Sequence, residues 1–215
     1  MGADSTISKI LRQIATQDVV EIFESSGSPG RAAALAHFTE QYGFTYGEAH
    51  RHGHNKSLLT VFLYRDPRPE ARAREAATIA AYPQAGNGGA APGLRPGTVK
   101  PLPEAEGAVA VLKDRIAFDV MGQAAEPRQK AIAWGMLGIT VLMILITGKY
   151  LVALGTGVVL GGLLLGGFKL GEVRRKKLAR RLEAAGLVAV RDEHGVQRFL
   201  APGQQLPGHA NPFAG

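Results

Sequence analysis

AIAWGMLGITVLMILITG (residues 131–148) and LVALGTGVVLGGLLLGGF (residues 151–168) are two 18-residue runs without a charge, separated by Lys149 and Tyr150. At 1.5 Å per residue each run makes a helix of about 27 Å, close to the roughly 30 Å hydrocarbon core of a bilayer. One continuous helix would reach about 57 Å and leave Lys149 stranded at its middle. The sequence therefore predicts a two-helix transmembrane hairpin that turns at Gly148, Lys149 and Tyr150. Glycine permits the bend, lysine reaches the headgroups and tyrosine suits their depth. Trp134 falls near the opposite interface. A soluble pair of core helices is disfavoured, because two helices apolar all round need a larger covering shell than 215 residues supply.

The charges outside this block set the expected topology. The chain carries a formal net charge of +7, and most of it lies in one run after the second apolar segment: Arg174, Arg175, Lys176, Lys177, Arg180 and Arg181. Arg128 and Lys130 precede the first apolar segment. Lys and Arg are retained on the cytoplasmic side of membrane segments, so both flanks are expected there, with both termini cytoplasmic at an inner (plasma) membrane. The cluster is expected to contact anionic lipid headgroups or, as the alternative, nucleic acid. No basic stretch followed by an apolar run opens the chain, so no signal peptide is expected. The Ala-, Gly-, Arg- and Pro-rich composition suggests a bacterial protein. There the myristoylation-like start Met1-Gly2-Ala3-Asp4-Ser5-Thr6 has no role.

The second apolar run contains Gly155, Gly157, Gly161, Gly162, Gly166 and Gly167. Six glycines weaken a helix, so they are expected to serve as a packing face where two backbones approach closely. The face is assigned either to the first run, through Gly135 and Gly138, or to a second copy of the chain in a homo-oligomer. Neither run holds an Asp, Glu, His or Arg. Proton relays and coupled transporters place such groups at membrane depth, so a transporter is not the expected class.

The remaining sequence reads as two cytoplasmic units. Residues 1–82 are expected as a small α+β domain. Ile7, Ile10, Leu11 and Ile14 mark a helix face, Val19, Val20, Ile22 and Phe23 extend a second apolar stretch to Ser25, and Ser28 and Pro29 open a third helix that Gly43 ends. Residues 44–49 and 57–65 follow as strands, then a helix over 70–81. Residues 83–103, rich in Gly, Pro and Ala and without periodicity, are expected as a linker. Residues 104–130 are expected as a juxtamembrane amphipathic helix presenting Val109, Leu112 and Ile116. Residues 131–168 form the hairpin, 169–201 a basic helix followed by a β-hairpin, and 202–215 a disordered tail. The fold class is thus mainly α: a transmembrane hairpin between a small α+β unit and a short helix-plus-β-hairpin unit.

Little in the sequence carries chemistry. Cysteine is absent, which excludes disulfides, thiolate metal sites and cysteine nucleophiles. His50, His52 and His54 alternate, as metal ligands on one strand face would, with Glu48 in phase and His37 as a further candidate. Against that, Gly53 interrupts the strand, and surface histidines in polar turns are common. No hydrolase elbow and no phosphate loop is present. No cofactor and no catalytic activity are expected. The function that follows is a membrane scaffold or adaptor recruiting a cytoplasmic protein. A membrane-tethered nucleic-acid-handling protein is the alternative, and a metal-binding membrane protein is third.

Overall fold

The computed structural model describes residues 2–53, 57–124, 127–192 and 195–204. It divides into two units: the chain up to residue 120 together with the chain from residue 182, and residues 121–181 between them.

The first unit is built on a three-stranded antiparallel sheet. Strand β3 (Leu58–Arg65) lies between β1 (Val19–Glu24) and β2 (Phe44–His52). Alternation along each strand sends Val20 and Ile22, Leu59, Val61 and Leu63, and Phe44 and Tyr46 to one buried face. Helices α1 (Ala3–Thr16) and α2 (Pro29–Gln41) pack on the sheet. Ile7, Ile10 and Ile14 give α1 one buried stripe, as their spacing predicts. Helix α2 begins as expected, with Pro29 in its first turn and the Ser28 hydroxyl accepting from the Arg31 N–H at 3.4 Å. It touches all three strands, which explains why Ala32, Ala33, Ala34, Leu35, Ala36 and Phe38 are all buried. The second apolar stretch, counted from sequence ahead of a third helix, is not helical: residues 19–24 form a strand whose burial alternates, exposed then buried, three times, so α2 is the second helix.

A register shift between Tyr46 and Glu48 places a bulge at Gly47. Residues 44 and 46 face the core before it, and Ala49 does so after it. Glu48, His50 and His52 are thereby turned to the opposite face, although they share parity with Tyr46.

Two expectations need correction. Residues 83–103 are an ordered segment, not a linker: it bends through turns, and Leu94 bridges to Pro101. It buries Ala85, Ala91 and Leu94, the last two within the main core. Absence of periodicity here reflects a chain of tight turns, with Gly86, Gly88, Gly93 and Gly97 all at positive φ. The C-terminal β-hairpin, β4 (Val188–Arg191) with β5 (Gln197–Leu200), is likewise no separate unit. It belongs with the N-terminal sheet. Helix α3 (Pro69–Ala81) is peripheral, and α4 (Glu106–Ala124) enters the core through Val109, Leu112 and Ile116.

The second unit holds α5 (Pro127–Ile146) and α6 (Tyr150–Ala184). The second apolar run and the basic segment, expected as two helices, are one unbroken helix of 35 residues. Only α6 among the described residues is long and apolar enough to cross a membrane; the apolar stretch of α5, Lys130–Ile146, falls short of 18 residues. Gly148 sits at φ +75° after α5, and Tyr150 opens α6. Of the tail expected at 202–215, residues 205–215 lie outside the described residues.

Candidate membrane segment and buried polar joint

Within the second unit α5 and α6 lie side by side and antiparallel. A methyl group built on Gly157 would meet Val141 Cγ2 at 3.5 Å. One built on Gly161 would meet Leu137 Cδ2 at 3.8 Å and the Trp134 ring at 3.9 Å. Lys130 Nζ stands 5.7 Å from the centre of the Phe168 ring. Gly157 and Gly161 thus form the close approach to α5. Gly155, Gly162, Gly166 and Gly167 face open space. At 100° per residue Gly155, Gly162 and Gly166 share a second face of α6. Gly135 and Gly138, expected as the partner positions, also face open space, since larger α5 side chains fill the contact instead.

The basic run on α6 divides by direction. The guanidinium of Arg175 lies 3.4 Å from a methyl built on Gly122 of α4. Arg174, Lys176, Lys177, Arg180 and Arg181 are exposed, and Lys176 pairs with Glu172 at 3.2 Å, one helical turn away.

The histidine cluster is only partly on view, since His54 lies outside the described residues. His50 Nε2 is 3.1 Å from Glu48 Oε2, and His52 Nε2 is 3.1 Å from Thr60 Oγ1. Among the described residues no three His, Asp or Glu side chains are grouped to hold a metal ion. His37 lies on α2, hydrogen-bonding distance from Gln41.

What the sequence did not signal is a buried polar joint where the C-terminal hairpin meets the N-terminal sheet. Arg115 of α4 is 5% exposed. Its Nη2 donates to the Phe199 carbonyl at 2.6 Å and to Gln204 Oε1 at 3.3 Å, while its guanidinium stacks on Tyr46, 4.5 Å from the ring centre. The Tyr46 hydroxyl donates to Asp119 at 2.6 Å, and Gln204 Nε2 donates to the Tyr46 carbonyl at 2.6 Å. Phe118 and Phe199 meet edge to face at 4.9 Å. On the far side of the bulge Arg198 bridges Glu48 at 2.8 Å and Asp192 at 2.9 Å. Every element of the joint is thereby tied to β4, β5 or the turn after them.

Burial shapes the ionisation of this joint. It pushes the Glu40 carboxyl up to about 7 and that of Asp119 up to about 6, against the neighbouring Arg115 and, for Asp119, the hydrogen bond from Tyr46. The Tyr46 hydroxyl is raised by the same burial and by Asp119, and Arg115 is lowered by desolvation. Glu48 is held low, first by its hydrogen bond with His50. Glu40 also lines an open groove of about 220 Å³ with Gln41, Phe44, Thr45, Asp66, Arg68 and Arg74. That volume is below the roughly 300–1,000 Å³ of small-molecule sites. Asp66 there is committed to Arg68, with contacts of 2.6 to 3.1 Å. Comparison of the chain with protein-family models, curated proteins and solved structures gives no match.

Proposed function

We propose that this protein is a two-pass membrane anchor whose flanks combine into one cytoplasmic platform for assembling a protein partner. One observation carries the reading: the chain before residue 121 and the chain after residue 181 belong to the same compact unit. A chain that leaves that unit through an apolar segment has to return to the side it left. An even number of crossings satisfies this, and two antiparallel apolar helices supply two. The shorter one gains reach because Lys130 extends along its neighbour toward the headgroups. The cations at 128, 130 and 169–181 favour the cytoplasm for the platform.

An adaptor suits the platform better than a nucleic-acid wing does. The hairpin's Arg198 is committed to Glu48 and Asp192, and its Phe199 is buried against Phe118. The outer face of the sheet carries Phe23, 52% exposed, and the half-buried Phe62 and Tyr64, aromatic side chains of the kind protein interfaces use.

The cysteine-free chain permits a direct test. Single substitutions Arg72→Cys, Lys149→Cys and Arg191→Cys are each treated in intact cells with a membrane-impermeant maleimide. Position 149 is expected to label from outside, and positions 72 and 191 only after permeabilisation. Labelling of 72 and 191 from opposite sides, or protection of 149 from outside, would overturn the two-pass reading.

A further inference from the structure

The open end of the helix pair gathers cations from both helices. Lys130 of α5 reaches over the Phe168 ring of α6 within cation–π range, and Lys169 is the next residue on α6. One turn on, Glu172 takes the ammonium of Lys176 at 3.2 Å. Lys130, beside Phe168, and Lys169 and Lys176 on α6 thus gather at this end with Glu172, an exposed carboxylate paired to Lys176. Residues 169–181 contain seven Lys or Arg and one acid, Glu172, so the positive charge far exceeds what Glu172 neutralises.

We propose that this mouth binds the headgroup of an anionic lipid, preferring one with two phosphates, through Lys130, Lys169 and Lys176. The inference rests on the membrane-hairpin reading of residues 121–181. Position selects lipid over nucleic acid. Lys130 and Lys169 flank Phe168, the last residue of the uncharged run, so the anions they meet lie at the hydrocarbon boundary, where lipid phosphates stand. A duplex does not enter that layer. Spacing selects two phosphates: Lys169 and Lys176 are seven residues, about 10 Å, apart along the helix. Glu172 lies between them and repels a phosphate placed centrally, leaving a position on either side.

The test uses the full chain in neutral detergent micelles. Retention of added cardiolipin, phosphatidylglycerol and phosphatidylcholine is read by native mass spectrometry and by the thermal midpoint. Retention is expected to fall in that order. The double variant Lys130→Gln/Lys169→Gln should lose about fivefold in apparent cardiolipin affinity per cation removed, with its lipid-free midpoint unchanged. Arg180→Gln/Arg181→Gln, about 16 Å further along the helix from Lys169, should stay within about twofold. Equal retention of phosphatidylcholine and cardiolipin, an equal loss in the distal variant, or displacement of lipid by a DNA duplex would each overturn the proposal. A parallel alkaline-carbonate wash of membranes separates the two readings. A chain that washes off sinks the hairpin and the lipid site together, whereas a chain that stays but shows no lipid preference sinks the lipid site alone.

Discussion

Arg115 shows how one residue holds two distant parts of the chain. It is a cation on the core side of a helix, where desolvation is costly, and it offsets that cost with a carbonyl, an amide oxygen and an aromatic face. Substituting Arg115→Met keeps the apolar stem and removes the charge, stranding the Phe199 carbonyl. The expected loss is about 1.5–3 kcal/mol, the range for hydrogen bonds to charged groups, measured by pulse proteolysis of the full chain in micelles. Glu40 gives a pH signature. Its carboxyl titrates at about 7 in the fold, above the ordinary value, so the fold prefers the protonated acid. The penalty is absent below about pH 4, grows as pH rises, and is complete above 7. Glu40→Gln should therefore be more stable than the parent at pH 8, by about 2 kcal/mol, and no more stable at pH 4.5. Asp119 titrates in the same window, and His37, lowered by burial, acts in the opposite sense, so the measured quantity is variant minus parent at each pH. A constant difference across that range would show that Glu40 does not titrate there. None of this was legible in the sequence, because Arg115, Asp119 and Tyr46 are spaced like ordinary surface polar residues. Only the fold brings position 46 against 115, 119 and 204.

At the scale of elements, periodicity was a good guide wherever one face alone is buried. The α1 stripe and the Val109, Leu112 and Ile116 face of α4 follow from spacing. It failed for residues 83–103, where the burial is achieved by turns, and for the join between the second apolar run and the basic helix, where polarity changes but the helix does not stop. If the 83–103 segment were a tether, Leu94→Ala would be neutral. With Leu94 only 2% exposed, a loss of about 2–4 kcal/mol is expected from the same proteolysis measurement. The α6 glycines separate into two tests. Gly161→Ile pushes directly against Leu137 and Trp134, so it should destabilise the helix pair within one chain. Gly162→Ile points into open space and should leave that pair intact, lowering crosslinked oligomer only if copies associate through the second glycine face. Leu163→Ile is the matched control. Equal behaviour of Gly161→Ile and Leu163→Ile would show that close approach to α5 is not needed.

The whole molecule inverts the linear order of domains that composition suggested. A charge-poor block between two polar stretches reads as a divider, and residues 121–181 form a unit of their own. What the sequence cannot register is that the two polar stretches complete each other: β4 and β5 have too little apolar surface to stand as a two-stranded unit, so they are stable only against a larger core. The apolar helical unit, residues 121–181, is therefore an insertion within one compact unit. This has a measurable consequence. A protease site placed between Gly148 and Lys149 lets the purified chain be cut in micelles, separating covalently everything before the turn from everything after it. If the polar joint closes the domain, amides of residues 197–204 should keep their slow hydrogen exchange after the cut, because Arg115, Tyr46 and Glu48 still hold them. In the cut Arg115→Met chain the same amides should exchange faster by about tenfold or more, following a loss of about 2 kcal/mol at the joint. The helix pair alone cannot give this result, since α5 and α6 are unchanged in both proteins. Rapid exchange at 197–204 in the cut parent would mean that the hairpin is held in place by chain connectivity rather than by the joint.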